Sequence, residues 1–369
     1  MAVEIDSWTD LAAIPTSGLD GDYLLIANLS GGDADYTSAG GNNWTPIGDN
    51  STPFTGTFDG NGKTISDLIL TANSVSYRGL FGKISGATVE NLGVIDYTIN
   101  VTTTSTYSYR IGFIGSVFAS SIVTNCYATG VINQTSGSNH FIYIGGLIGE
   151  VDGSAISKCW SDVDITVTQG GIVGQLGGLI GDIRNNNASV IDCYSLGNID
   201  LGSDCSANYY TGGCIGLAYN TGTTVKNCYS TGNVDATGAV SGNSFGGFIG
   251  LNHASNVTTN CFAVGVVTCP SQDEETWYVG GFCGQNQGEL VNCWWFNGTN
   301  TLGIGYDTTE QSVSKATDAS DFYVSTQNVY DTETPNWSAP PWYWHTSAYP
   351  DFIAPIITGI LPLFKPIIA

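Results

Sequence analysis

A short glycine block recurs through this chain, and its spacing limits the folds available more than any other feature. It reads Gly79-Leu-Phe-Gly82, Gly112-Phe-Ile-Gly115, Gly145-Gly-Leu-Ile-Gly149 and Gly177-Gly-Leu-Ile-Gly181, then Gly212-Gly-Cys-Ile-Gly216, Gly246-Gly-Phe-Ile-Gly250 and Gly280-Gly-Phe-Cys-Gly284. The closing glycines stand 33, 34, 32, 35, 34 and 34 residues apart. A fixed period of this size is the mark of a solenoid, in which each unit buries its apolar face against the next.

A second block follows each glycine block. It runs Val123-Thr-Asn-Cys-Tyr127, Ile156-Ser-Lys-Cys-Trp160, Val190-Ile-Asp-Cys-Tyr194, Val225-Lys-Asn-Cys-Tyr229, Thr258-Thr-Asn-Cys-Phe262 and Leu290-Val-Asn-Cys-Trp294, with Val89-Glu-Asn-Leu92 in the first copy. Ankyrin and TPR arrays share the period, so residue types must decide. The units are rich in Val, Ile, Thr and Tyr in short runs cut by Gly and Asn, and lack the apolar 3.6-residue spacing of a helix. So much glycine would undo helical repeats. The chain is predicted to be all-β: a single-domain parallel β-helix of about seven ~33-residue rungs, right-handed, with caps at both ends. Residues 1–70 are expected to cap the bottom and lead into the first rung, 71–300 to form the repeats, and 301–369 to form a C-terminal cap.

The Gly-Gly-Leu-Ile-Gly cores, with following segments such as Asn227-Cys-Tyr-Ser-Thr-Gly-Asn-Val234, resemble GLUG-motif repeats. Trp44-Thr-Pro-Ile-Gly48, Phe54-Thr-Gly-Thr-Phe-Asp-Gly-Asn-Gly-Lys-Thr-Ile65 and the closing segment 337–351 resemble the flanks of such arrays. That family occurs in bacterial surface adhesins, in domains attached to extracellular proteases and in phage structural proteins. The resemblance therefore implies a scaffold on a surface rather than a reaction.

Equal spacing stacks Cys126, Cys159, Cys193, Cys228, Cys261 and Cys293 in one column. In-register parallel neighbours have poor disulfide geometry, and no Cys-x-x-Cys or Cys/His cluster exists, since His140, His253 and His345 lie off the pattern. The column is predicted to be free, buried core thiols, with no metal. Cys205, Cys214, Cys269 and Cys283 lie off it, and a pairing such as Cys205 with Cys214 stays open. The next residue is aromatic each time: Tyr127, Trp160, Tyr194, Tyr229, Phe262 and Trp294. Strand alternation turns these rings outward, either as a platform for sugar faces or, the favoured reading, as rings packed on one another along the stack. Asn91, Asn125, Asn227, Asn260 and Asn292 suggest an amide ladder or left-handed corners. The glycine block is apolar at both central positions, which predicts a strand covered on both faces: the rung folds over itself there, or a partner protomer covers it.

The net charge of −23 reflects only nine Lys and Arg against 32 acids. Such a surface repels nucleic acid and anionic headgroups. Halophilic adaptation would be expected to bring far more acids. Asp162 with Asp164, and Asp273, Glu274 and Glu275, are the paired acids available, and read as solvated turn residues. Asp59-Gly-Asn-Gly62 reads as a tight turn. With no nucleophile elbow or phosphate loop, the chain is expected to be no enzyme, with no catalytic residues and no cofactor.

The first residues carry no basic and apolar leader, so the chain is expected either to work without export or to have lost a leader. The apolar stretch 352–369 is broken by Pro355, Pro362 and Pro366 and carries Lys365, which makes a membrane span the poorer reading and a docking tail the better one. Together these features predict a virion surface component (tail fibre, spike or capsid decoration). Its partners would be other virion proteins or further copies of itself, held through the tail, and a host-surface glycan or protein. A bacterial cell-surface adhesin is the alternative, and a polysaccharide-processing β-helix the third.

Overall fold

The computed structural model describes residues 1–71, 76–103, 108–136, 141–168, 173–184, 187–202, 209–219, 222–239, 243–270, 277–296, 300, 302–318, 322, 342–343 and 349–352. These form a parallel β-solenoid of about seven turns, built from three long sheets. The first sheet carries the cysteine blocks. The second carries strands such as Tyr109–Ile111, Phe141–Gly145 and Val173–Gly177, and the third Ile114–Phe118, Ile148–Asp152 and Ile180–Arg184.

Each rung runs up a strand of the second sheet, turns at the glycine block, and returns along the third. Strand alternation then puts like side chains in register. Ile111, Ile144 and Leu176 are paired neighbours in the second sheet, as are Ile114, Ile148 and Ile180 in the third. All six are fully buried. Removing such a side chain from water contributes ~1.5–3 kcal/mol, and stacking repeats the gain rung by rung.

The corner explains the glycines. A Cβ at Gly149 would lie 2.6 Å from the Ile111 amide nitrogen and 2.9 Å from the Tyr143 carbonyl oxygen. At Gly181 it would lie 2.7 Å from the Ile144 nitrogen. The third sheet thus lies directly on the backbone of the second, and only hydrogen fits between them. Of the two coverings the sequence allowed, the rung folds over itself.

The 1–70 segment adds strands to the first sheet as well as covering its end. Val3–Ile5 pairs with Asp22–Leu25, which pairs with Thr57–Ser66. Between them a helix, Trp8–Ser17, is capped by the Ser7 side chain, which accepts from the Asp10 amide. Asp59-Gly-Asn-Gly62 makes the tight turn expected, with the Asn61 amide donating to Asp59 Oδ1 at 2.7 Å. It is a bulge inside the strand Thr57–Ser66, where the register with Thr88–Thr103 shifts and Asn61 and Gly62 take φ of 50° and 68°. The apolar stretch expected to dock lies, from residue 353 on, outside the described residues.

A polar and aromatic seam between two sheets as the candidate functional site

The cysteines face inward. Cys126, Cys159, Cys193, Cys228, Cys261 and Cys293 are free and buried, and Cys193 pairs in register with Cys228. Each stacked thiol reaches the carbonyl two residues earlier, as Cys159 Sγ does to Ser157 O at 3.1 Å. Burial raises Cys228 well above the usual thiol pKa and pushes Cys293 up to about 12, whereas at Cys159 burial is outweighed by hydrogen bonds with the Cys126 and Cys193 thiols, which lower it. Cys214 and Cys283 are also buried free thiols, Cys269 is half-buried, and Cys205 lies outside the described residues.

The asparagine column combines both roles open to it. Asn91, Asn125, Asn227, Asn260 and Asn292 all take φ between 50° and 55°. Asn125 Nδ2 donates to Asn91 Oδ1 at 2.8 Å, and Asn292 Nδ2 to Asn260 Oδ1 at 2.8 Å. The left-handed corner points the amides of Asn125, Asn227 and Asn292 at the preceding rung.

The outward rings stack face to face. Tyr127–Trp160, Trp160–Tyr194, Tyr194–Tyr229 and Tyr229–Phe262 have centroids 4.6, 5.7, 4.9 and 4.8 Å apart and planes within 4° of parallel. At the bottom Tyr127 lies over Gly93, where a Cβ would meet its ring at 2.3 Å. Farther up, Phe322 lies parallel on Phe262 at 4.5 Å, and Tyr229 OH donates to Pro350 O at 2.8 Å. Trp294 is half-buried beside this cluster. The faces a sugar would stack on are occupied by neighbouring rings, and mainly edges point outward.

Sequence reasoning missed a different feature, a seam whose members are for the most part buried. Two columns face each other across the outer side of the corner. On the second sheet the residue two before each glycine block gives Tyr77, Arg110, Tyr143, Gln175, Tyr210, Ser244 and Tyr278 in register. On the third sheet the residue after each closing glycine gives Lys83, Ser116, Glu150, Asp182, Leu217, Leu251 and Gln285. Contacts cross between them: Ser244 Oγ lies 3.5 Å from Gln285 Oε1, and Lys83 Nζ lies 5.8 Å from the Tyr77 ring centre.

The lower half of this seam is charged. Glu150 accepts from Arg110 Nε at 2.9 Å and Ser116 Oγ at 3.1 Å, and pairs with Arg184 Nε at 3.5 Å. The same Arg184 nitrogen donates to Asp182, so one guanidinium bridges two carboxylates on adjacent rungs. Tyr143 lies between the two arginines, 4.9 Å from Arg110 and 4.6 Å from Arg184, and its hydroxyl accepts from Arg184 at 2.6 Å. Glu150 and Asp182 are buried, while Arg184 is about a third exposed. Burial pushes Asp182 up to about 7, against the pull of Arg184. A proton held on a carboxyl beside a second, ion-paired carboxylate is an arrangement that can give or take a proton.

The acids singled out from the sequence are not part of this group. Asp164 Oδ1 accepts from Asn198 N at 2.9 Å and Nδ2 at 3.1 Å, Asp162 lies on the same strand, and Asp273, Glu274 and Glu275 lie outside the described residues. The signal that would have found the seam is variation: these two columns change character from rung to rung where the core columns do not.

The fold defines a class, the parallel β-solenoid, and comparisons agree with it. No protein-family model matches the chain, so the GLUG resemblance gains no support there. Halomucin of Haloquadratum walsbyi is 36% identical over 154 residues, which is 40% of this chain; the match spans only 2% of Halomucin's length. A crystal structure of a proposed immunoglobulin A1 protease from Bacteroides ovatus superposes with a TM-score of 0.56 at 18% identity, covering 95% of this chain and 92% of that one. An IgA1 protease structure gives 0.55 at 16% identity, over 91% of this chain and 26% of that one. These matches overturn the expectation that the chain is no enzyme. Solenoids of this architecture bear the name of a protease, so the fold is no ground for excluding catalysis. At 16–18% identity the likeness carries the fold and no particular reaction. Among the described residues no helix is long and apolar enough to cross a membrane.

Proposed function

We propose that the chain is a surface-displayed recognition solenoid whose contact face is the partly exposed rim of the seam, with Tyr77, Arg110, Tyr210 and Tyr278 on the second sheet. One observation carries this reading. Inward positions hold to a narrow set of apolar and thiol side chains, whereas the seam columns run through Lys, Arg, Tyr, Ser, Glu, Asp, Gln and Leu on an identical backbone. Packing alone gives no reason for that variety, and solenoids commonly bind along one such face.

The stretch shared with Halomucin, a mucin by its name, supports a setting outside the cell. Because that relative comes from a cellular organism, Haloquadratum walsbyi, the cell-surface adhesin takes precedence over the virion component expected from the sequence. The virion reading keeps the support of the apolar 352–369 stretch, which suits assembly with other virion proteins or further copies of the chain. Antibody against the solenoid should label intact producing cells. Label found only inside the cells, or only on purified virions, overturns the cell-surface assignment.

A further inference from the structure

We propose that Asn61 is a self-modifying site: it converts without an enzyme to isoaspartate and aspartate, with loss of its side-chain nitrogen as ammonia. The inference is independent of the recognition reading, since Asn61 belongs to the first sheet and not to the seam.

The sequence supplies the reacting pair. Asn61 precedes a glycine, and among the described residues no other asparagine does; the pair recurs once, at Asn297-Gly298, outside them. Glycine matters because the amide nitrogen of the following residue must reach the asparagine side-chain carbon, and a Cβ on that residue crowds the approach. Nothing else hems the site in: a Cβ placed at Gly62 would meet nothing within 4 Å.

The fold leaves both partners unheld. Asp59 pairs in register with Glu90 and Lys63 with Leu92, so residues 60–62 stand outside the ladder. Asn61 is exposed, and among the described residues its side-chain amide has no hydrogen-bond partner; the bond at this turn comes from its main-chain amide. The asparagine column differs on both counts. Asn125 and Asn292 each donate to the amide of the preceding rung at 2.8 Å, and each is followed by a cysteine. Even Asn50, exposed and followed by serine, has its Oδ1 held by Tyr77 and Lys83 at 3.0 Å each.

The reaction balances with water alone. The Gly62 nitrogen gives its proton to hydroxide and attacks Asn61 Cγ; the new C–N bond closes a succinimide ring as the side-chain nitrogen leaves as ammonia. Water then opens the ring, at the side-chain carbonyl to give aspartate or at the main-chain carbonyl to give isoaspartate. Isoaspartate lengthens the main chain by a carbon, and it does so where residues 60–62 already lack a register partner, so pairing on either side is kept. The new carboxylate joins Asp59, whose Oδ1 accepts from Asn91 Nδ2 at 3.0 Å and ends the amide ladder that descends from Asn125.

The test incubates the full chain at neutral and mildly alkaline pH and follows it by peptide mapping in the mass spectrometer, with isoaspartyl methyltransferase labelling. Asn61 should convert with first-order kinetics, faster as pH rises, and at least tenfold faster than Asn50, Asn125 or Asn227. The β-rich circular dichroism spectrum should stay unchanged as it does so. Gly62→Ala should slow the conversion at least tenfold, and Asn61→Gln should abolish methyl labelling of this peptide. The comparison with Asn125 needs no variant, so it decides the matter even if Gly62→Ala folds poorly. Conversion of Asn61 no faster than that of Asn125, a rate independent of pH, or an unchanged rate in folded Gly62→Ala overturns the proposal.

Discussion

Asp182 shows how one buried carboxyl responds to its surroundings. Its folded pKa is raised to about 7, first by burial and partly by Glu150, while Arg184 pulls the other way. An unfolded Asp titrates near ~3.9. Between these values the unfolded chain has lost a proton that the folded chain keeps, so this group's contribution to stability falls as pH rises from about 4 to about 7 and then levels off. The gap corresponds to at most ~4 kcal/mol. Asp182→Asn removes the titration while keeping an acceptor for Arg184. Relative to the native chain, the variant should gain stability steadily across this window in urea unfolding; a difference that does not change with pH would contradict the account. Thiol chemistry offers a second check at this scale. Among the described cysteines only Cys269 is not fully buried, so it should react with a thiol reagent first, with the stacked column reacting only at the rate of unfolding. The column and its burial direction were readable from spacing and strand alternation. Glu150 and Asp182 were not readable as partners of Arg110 and Arg184, because 40 residues separate Arg110 from Glu150 and only the folded corner brings them together.

At the scale of elements, the corner between the second and third sheets is held by absence of side chains. Gly149→Ala would force a Cβ to within 2.6 Å of backbone on two neighbouring strands, neither of which is a flexible tip that can move aside. Overpacking of this kind costs typically ~1–3 kcal/mol and here involves main chain, so the upper end applies. Gly62→Ala is the natural control. It meets nothing within 4 Å and is strained only by its φ of 68°, so it should cost ~1 kcal/mol. Chemical denaturation of the pair would distinguish steric exclusion from backbone conformation; equal losses would argue against a close-packed corner. A similar contrast applies to the outer rings: Tyr229→Phe keeps the stack and loses the bond to Pro350, so it should cost ~1 kcal/mol. The self-covering of the glycine strand was one of two alternatives left by the sequence. Two apolar faces show that something covers a strand, but not whether it belongs to the same chain.

For the whole molecule, the solenoid was legible because the same periodicity recurs in glycine, cysteine, asparagine and aromatic positions at once. The seam was not, because its columns have no residue type in common. Charge also acts at this scale. Nine basic against 32 acidic residues leave the surface repelling itself, and salt screens that repulsion over ~10 Å at 0.1 M and ~3 Å at 1 M. The thermal midpoint should therefore rise on going from low salt to molar sodium chloride; a fall would show that attractive pairs such as Arg110–Glu150 dominate the net effect.

The bare contact at Gly149 and Gly181 also bears on how a chain of this type can vary in length. A residue inserted within the block would turn the side chains that follow it in that strand to the opposite face and drive a Cβ into the facing main chain. Inside the block, growth and shrinkage are then confined to complete windings of about 33 residues, whereas the 32 to 35 residues between closing glycines show that single residues are absorbed in the stretches between blocks.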